Sequence, residues 1–195
     1  MTTKPAIVHL IGFPAAGKLT IARAIAGMAE RQGSHFVVVD NHHTSNVIFA
    51  VLDVDGIREL PPEVWDRVRE VRQVVMRSIE ELSPRDWSFI FTNVLTERDA
   101  TDRAVIDRLA QLATKRSSHY VPVRLHCDTE VLLGRVDNAD RRERLKSIDP
   151  VSVRALIDST RLLDVAPHTA LDLDVTNLSP TDAAARIMEH VSTFD

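Results

Sequence analysis

Cysteine is almost missing from this chain: Cys127 stands alone among 195 residues, so no disulfide can close within it and no cysteine-rich zinc site can be built. Long apolar runs are missing too, which argues against a membrane-spanning helix, and the N-terminus lacks a signal-peptide pattern. Positive charge is in deficit. With 24 Lys and Arg against 28 Asp and Glu the formal charge is −4, which speaks against a dedicated binder of nucleic acid or anionic membrane. Internal repeats and low-complexity tracts are absent. The remaining composition, 44% apolar and 27% charged, is that of a soluble globular protein, and the length fits one domain spanning residues 1–195. A cytoplasmic enzyme is the class left standing.

Glycine is scarce, and two of the six glycines frame one loop, Gly12-Phe13-Pro14-Ala15-Ala16-Gly17-Lys18. It leaves an apolar run, Ala6 to Ile11, and enters a segment of helical composition beginning Leu19-Thr20-Ile21-Ala22. Glycines at both ends let backbone N–H groups turn inward around a phosphate, and Lys18 adds a mobile positive charge. The helix that follows presents further unpaired amides and its positive dipole end to the same anion. Leu19 stands where a hydroxyl that ligates Mg²⁺ is commonest, and Thr20 supplies the hydroxyl one step later.

Four more apolar runs alternate with helical patterns. His35 to Val39 reads as a strand ending at Asp40, and residues 41–62 read as a polar segment around a short apolar patch. Pro61 and Pro62 open a helix whose Val64, Val68, Val71, Val75, Ile79 and Leu82 share one face, with Arg67, Arg69 and Arg72 mainly on others. Trp87 to Phe91 is a third strand delivering Thr92 and Asn93, and a helix over about 100–116 follows. Tyr120 to His126 is a fourth strand, in which Pro122 predicts an edge or a bulge. Thr129 caps a short helix, a dense run of charge follows, and Asp149-Pro150 starts a helix containing Arg154 and Arg161. Leu171 to Val175 alternates like a half-exposed edge strand, and Ser179-Pro180 opens the last helix. The alternation predicts an α/β fold with a parallel sheet covered on both faces, placing the phosphate loop, Asp40, Asn93 and Asp128 at one sheet edge.

Taken together, the loop GFPAAGKLT, Asp40 after the second strand, the arginine-rich stretch after the fourth and the final strand followed by TNLSP resemble the small-molecule P-loop kinases. That group includes shikimate, gluconate, chloramphenicol and nucleoside monophosphate kinases. The resemblance covers nearly the whole chain in order of elements, while only the loop is a specific motif. It implies a three-layer sandwich with a five-stranded parallel sheet of order 2-3-1-4-5, an acceptor-binding segment over about 41–82 and an arginine-rich lid over about 136–149. It also implies ATP and Mg²⁺ as cofactors. Gly12 to Thr20, thus Phe13, Pro14, Ala15, Ala16, Gly17, Lys18 and Leu19 as well, correspond to the triphosphate cradle. Arg135 resembles an arginine lying on adenine, and Arg141 and Arg142 resemble lid arginines that meet the transferring phosphoryl group.

Asp40 corresponds to the aspartate that meets an acceptor hydroxyl, as base or as orienting group; helix capping or metal binding through water are its other readings. Asn93 stands where an acidic metal holder is common, which leaves Thr20 with Asp40, Asp128 or Glu97 to position Mg²⁺. The triple glycine of shikimate kinases is replaced by Thr92-Asn93-Val94, against shikimate as substrate. His42 and His43 would point opposite ways in an extended segment, one toward the acceptor and one to solvent. Arg67 and Arg72 could bind an anionic acceptor. The expected activity is therefore ATP-dependent phosphorylation of a small hydroxyl compound, with a nucleoside monophosphate kinase or a nucleotide-binding switch as alternatives. Nucleotide and acceptor are the expected partners, and monomer and homodimer both remain open.

Overall fold

The computed structural model describes residues 4–165 and 170–194. Strand β1 (Ala6–Gly12) is buried along its whole length because it lies in the middle of the sheet. Alternate residues face opposite layers. Ala6, Val8 and Leu10 pack with α1 (Lys18–Arg31) and α8 (Pro180–Ser192), while Ile7 packs on the other side with Ile79 of α3 (Pro62–Leu82) and Leu109 and Leu112 of α4 (Asp102–Lys115). The sheet is completed by β2 (Phe36–Asp40), β3 (Ser88–Asn93), β4 (His119–His126) and β5 (Leu171–Asp174). All pairings are parallel and the order is β2-β3-β1-β4-β5, as the resemblance implies. Strand β5 is the expected edge. Among the described residues no helix is long and apolar enough to cross a membrane.

Several local expectations are not met. Residues Asn41–Phe49 form helix α2 instead of an irregular segment, although Asn, His, Thr and Ser are weak helix formers. The hydroxyls of Thr44 and Ser45 donate back to the carbonyl of Asn41, and Phe49 is buried with Val64 and Val68 of α3, so packing overrides propensity. Pro122 sits in an interior strand, aligned with His9; but the β5 ladder begins only at Val123, so β4 is locally an edge where the proline falls. Leu82, the last residue of α3, is 79% exposed and does not share the buried face. Arg161 lies outside helix α7 (Pro150–Ser159), with its carbonyl accepting from the amide of Glu97.

The short helices α5 (Thr129–Gly134) and α6 (Ala139–Glu143) carry the chain from β4 toward α7. Asp128 caps α5 through Oδ1, which accepts from the amides of Glu130 and Val131, so the cap is one residue earlier than Thr129.

Candidate active site

The loop between β1 and α1 is shaped by close approach. A Cβ on Gly12 would stand 3.2 Å from the carbonyl oxygen of Leu125 and 3.3 Å from Cβ of Ala16, so only glycine fits without displacement. Ala15 (φ 67°) and Gly17 (φ 82°) are both left-handed, which curls successive amides toward one side as an anion nest. The first intrahelical bond of α1 runs from the amide of Ile21 to the carbonyl of Gly17, leaving the amides of Lys18, Leu19 and Thr20 without helical partners. Nζ of Lys18 donates to the carbonyls of Gly12 (2.7 Å) and Phe13 (2.8 Å), at the mouth of this nest. Burial, then the like charges of Lys146 and Arg141, lower the Lys18 pKa to about 7, against an opposing pull from Asp40. Leu19 is buried; Thr20 is exposed and lines the cleft.

That cleft, of about 870 Å³, lies between the loop, α2, the turn near Gly56 and the segment 135–147. Asp40 faces it from the end of β2 and is only 4% exposed. Its Oδ1 accepts from the hydroxyl of Thr92 at 2.5 Å, and its Oδ2 lies 3.3 Å from Nζ of Lys146. Burial by itself would raise the carboxyl pKa. The Thr92 hydrogen bond and the positive Lys146 outweigh it, and the group is held below the ordinary carboxylate range.

Helix α2 separates the two histidines. His42 lines the cleft and its Nδ1–H donates to Oδ1 of Asn46 at 3.2 Å, a tautomer set by the Asn46 amide, which donates to the carbonyl of Arg144. Burial first, then Lys146, lower its pKa to about 4 in spite of Asp40, so it is neutral at physiological pH. His43 is exposed and outside the cleft. The helical geometry, not an extended one, makes that division.

Among the arginines of α3, Arg72 turns inward and donates to Oδ1 of Asn41, lining a side pocket of about 30 Å³ with Asp40, Asn93 and Arg108. Arg67 turns outward and pairs with Glu70. Asn93 is buried between the side pocket and the cleft, with Oδ1 on the ring of His9 and Nδ2 on Asn41.

The charged run divides in the same way. Arg141 and Arg135 line the cleft, whereas Arg142 pairs with Asp137 on an exposed surface and does not reach it. Arg135 touches Cys127 Sγ at 3.8 Å and the carbonyl of Thr176 at 3.4 Å. Lys146, not singled out as a site residue from sequence, takes the inward place. Leu145 just before it is left-handed (φ 52°). Asp128 lies outside the cleft lining and serves α5 as its cap. No cluster of three or more His, Cys, Asp or Glu suited to a metal occurs among the described residues.

No protein-family profile matches the sequence, and no curated protein does. Solved structures do. A gluconokinase from Sinorhizobium meliloti superimposes with TM-score 0.62 at 14% identity, over 100% of this chain and 95% of that one. A sugar kinase from Janibacter sp. gives 0.61 at 19% identity, over 96% and 95%. The APS kinase of Mycobacterium tuberculosis, solved with AMPPNP and APS, gives 0.57 at 12% identity, over 97% and 98%. Sheet order, loop position and these superpositions agree: the chain has the fold of the P-loop small-molecule kinases.

Proposed function

We propose that the protein is an ATP-dependent phosphotransferase that moves the γ-phosphoryl group to a hydroxyl of a small metabolite. One observation carries this reading: the phosphate loop with Lys18 and the buried Asp40 face the same cleft, which Lys146, beside Asp40, and Arg141 also line. Arg135 lies at the rim where a nucleobase would rest against its guanidinium. The donor set suits a magnesium ion carried mainly by the nucleotide's phosphates, since Thr20 offers a free hydroxyl among the described residues and Asp40 faces the same space. Bound there, Mg²⁺ would offset the charge of the β and γ oxygens.

Asp40 is ionised at neutral pH and accepts a hydrogen bond from the acceptor hydroxyl, which orients the nucleophile in line with the phosphorus. As the new O–P bond forms and the bridging O–P bond breaks, the proton moves to Asp40 and the electron pair leaves with ADP. A carboxylate with a lowered pKa is a weak base, so orientation is its larger contribution. Nε2 of neutral His42 adds a second hydrogen-bond acceptor for the metabolite. Lys18, Lys146 and Arg141 stabilise the charge that spreads over the transferred oxygens, with residues 136–149 acting as a lid.

The inward Arg72 favours a second reading, a nucleoside monophosphate as acceptor, because its guanidinium faces the side pocket with no carboxylate paired to it among the described residues. A panel of sugars, polyols, hydroxy acids, nucleosides and nucleotides, assayed for ADP production, tests both. Turnover that disappears in Lys18→Ala supports the kinase, and an acceptor KM raised in Arg72→Gln marks an anionic acceptor. ATP binding with no turnover across the panel would instead make the protein a nucleotide-binding switch.

A further inference from the structure

His9 is a lone imidazole inside an otherwise apolar strand, with no exposed surface. A buried polar ring in that position must be satisfied on both nitrogens or it costs stability. Both are satisfied. Nδ1 accepts from the hydroxyl of Tyr120 at 2.9 Å, and Nε2–H donates to Oδ1 of Asn93 at 3.0 Å. Burial holds the ring neutral, with a pKa lowered to about 4, so the Nε2–H tautomer is the form present.

The chain of bonds continues upward to the cleft. With its oxygen taken by His9, Asn93 can point only its NH₂ group at Asn41, and Nδ2 lies 3.3 Å from Oδ1 of Asn41. Arg72 donates to that same Oδ1. Two donors therefore occupy the amide oxygen of Asn41, which leaves its NH₂ group as the unengaged end of a residue that lines both the cleft and the side pocket, next in sequence to Asp40. Asn41 Nδ2 has no protein acceptor among the described residues.

We propose that His9 is a positioning residue of the acceptor site: through Asn93 it fixes the amide of Asn41 so that Nδ2 donates to an oxygen of the acceptor beside the hydroxyl held by Asp40. This rests on the kinase reading for the identity of the ligand, but not for the relay itself. The chemistry selects an acceptor with two oxygens close together, one donating to a carboxylate and its neighbour accepting from an amide. A vicinal diol or a 2-hydroxy acid meets that demand; an isolated alcohol does not.

Long-range ¹H–¹⁵N spectra of uniformly ¹⁵N-labelled protein test the relay without any acceptor. The expected result is a neutral Nε2–H tautomer of His9 from about pH 5.5 to about pH 8, the same tautomer kept by Asn93 in Tyr120→Phe, and displaced side-chain amide signals of Asn93 and Asn41 in His9→Phe that return in His9→Gln. A protonated or Nδ1–H ring, or Asn93 signals unmoved in His9→Phe, overturns the proposal. If His9→Phe fails to fold, Tyr120→Phe, which removes one hydroxyl, decides on the tautomer. Kinetics with D-gluconate, D-glucose and thymidine 5′-monophosphate follow. His9→Phe should raise the KM of the compound that turns over by about tenfold while the Kd for AMPPNP changes less than about twofold. Equal loss on both sides means a purely structural role and overturns it. Absence of turnover in the unaltered protein counts against the kinase reading, and the spectra then still decide the relay.

Discussion

Nζ of Lys146 lies 3.3 Å from Oδ2 of Asp40, joining residues more than a hundred positions apart across the floor of the cleft. Both side chains are largely withdrawn from water, 12% and 5% exposed, so neither charge is satisfied by solvent. Removing one partner leaves the other buried and uncompensated. Lys146→Met should cost about 3 kcal/mol in urea unfolding, and adding Asp40→Asn should return part of it in a double-mutant cycle. The pH sign follows from the lowered Asp40 pKa: its stabilisation is present above the ordinary carboxylate pKa and is lost as pH falls through the lower folded value. Lys146→Met should move that acid loss upward in pH. An unchanged acid transition would show that the pair contributes nothing.

Gly56 holds the same segment from behind. It is left-handed (φ 77°), and a Cβ there would stand 2.5 Å from the backbone oxygen of Lys146, a contact no side-chain rotation relieves. The amide of Ile148 also donates to its carbonyl at 3.3 Å. Gly33 is an internal control, with φ 76° and nothing within 4 Å of an added Cβ. Gly33→Ala should cost about 1 kcal/mol from the backbone alone. Gly56→Ala adds the collision, so it should lose at least about 2 kcal/mol and lower turnover by displacing Lys146 from Asp40. Equal losses from the two substitutions would rule out the contact as the cause.

The contrast between Lys146 and Arg142 shows where local pattern stops being informative. The five strands are legible because four are mainly apolar runs between breakers and the fifth alternates as an edge strand does, and the phosphate loop because glycine spacing has a backbone reason. Within the run from Arg141 to Lys146 every charged side chain looks alike, yet Arg141 and Lys146 line the cleft while Arg142 pairs outside it with Asp137, a division that sequence spacing does not show. Helix α2 escapes for another reason: its Asn-His-His-Thr-Ser stretch has little helix propensity, so the turn that brings His42 in and leaves His43 out comes from packing. His9 carried a readable signal, a polar ring inside an apolar strand, but its partners Tyr120 and Asn93 are joined only by the sheet register.

Arg116 separates stability from activity. Its side chain is 2% exposed, and the guanidinium donates to the carbonyls of Ile79 (2.6 Å) and Pro84 (2.6 Å) and to Oγ of Ser83 (2.7 Å), while its carbon lies 4.9 Å from the ring centre of Phe89. These bonds tie the end of α3, which closes without a glycine, to the turn that follows it: Ile79 lies in its last turn and Pro84 just beyond it. Arg116→Met keeps the packing and removes these charge-assisted bonds, leaving the Ile79 carbonyl to the Ser83 hydroxyl and the Pro84 carbonyl to the amide of Trp87. The expected loss is about 3 kcal/mol in urea unfolding, with AMPPNP affinity unchanged at temperatures where the variant is folded. A comparable loss of nucleotide affinity would tie α3's C-terminus to the cleft, against this assignment.

Lys18 offers a test of the donor side that needs no acceptor. In the free protein its pKa lies near 7 instead of 10.5, because burial and the neighbouring Lys146 and Arg141 disfavour the charged form. The folded state therefore sheds a proton that the unfolded chain retains, and stability should rise as pH increases from about 7 toward about 10. Triphosphate oxygens reverse the preference by pairing with the ammonium. AMPPNP binding should then take up about one proton at pH ~8, where free Lys18 is mostly neutral, and little at pH ~6, where it is already charged. Calorimetry in two buffers of different ionisation enthalpy reads that number directly, and Lys18→Met should reduce it to near zero. Binding enthalpy that is independent of buffer at pH ~8 would show that the loop holds its lysine charged throughout, and would remove proton uptake from the account of nucleotide binding.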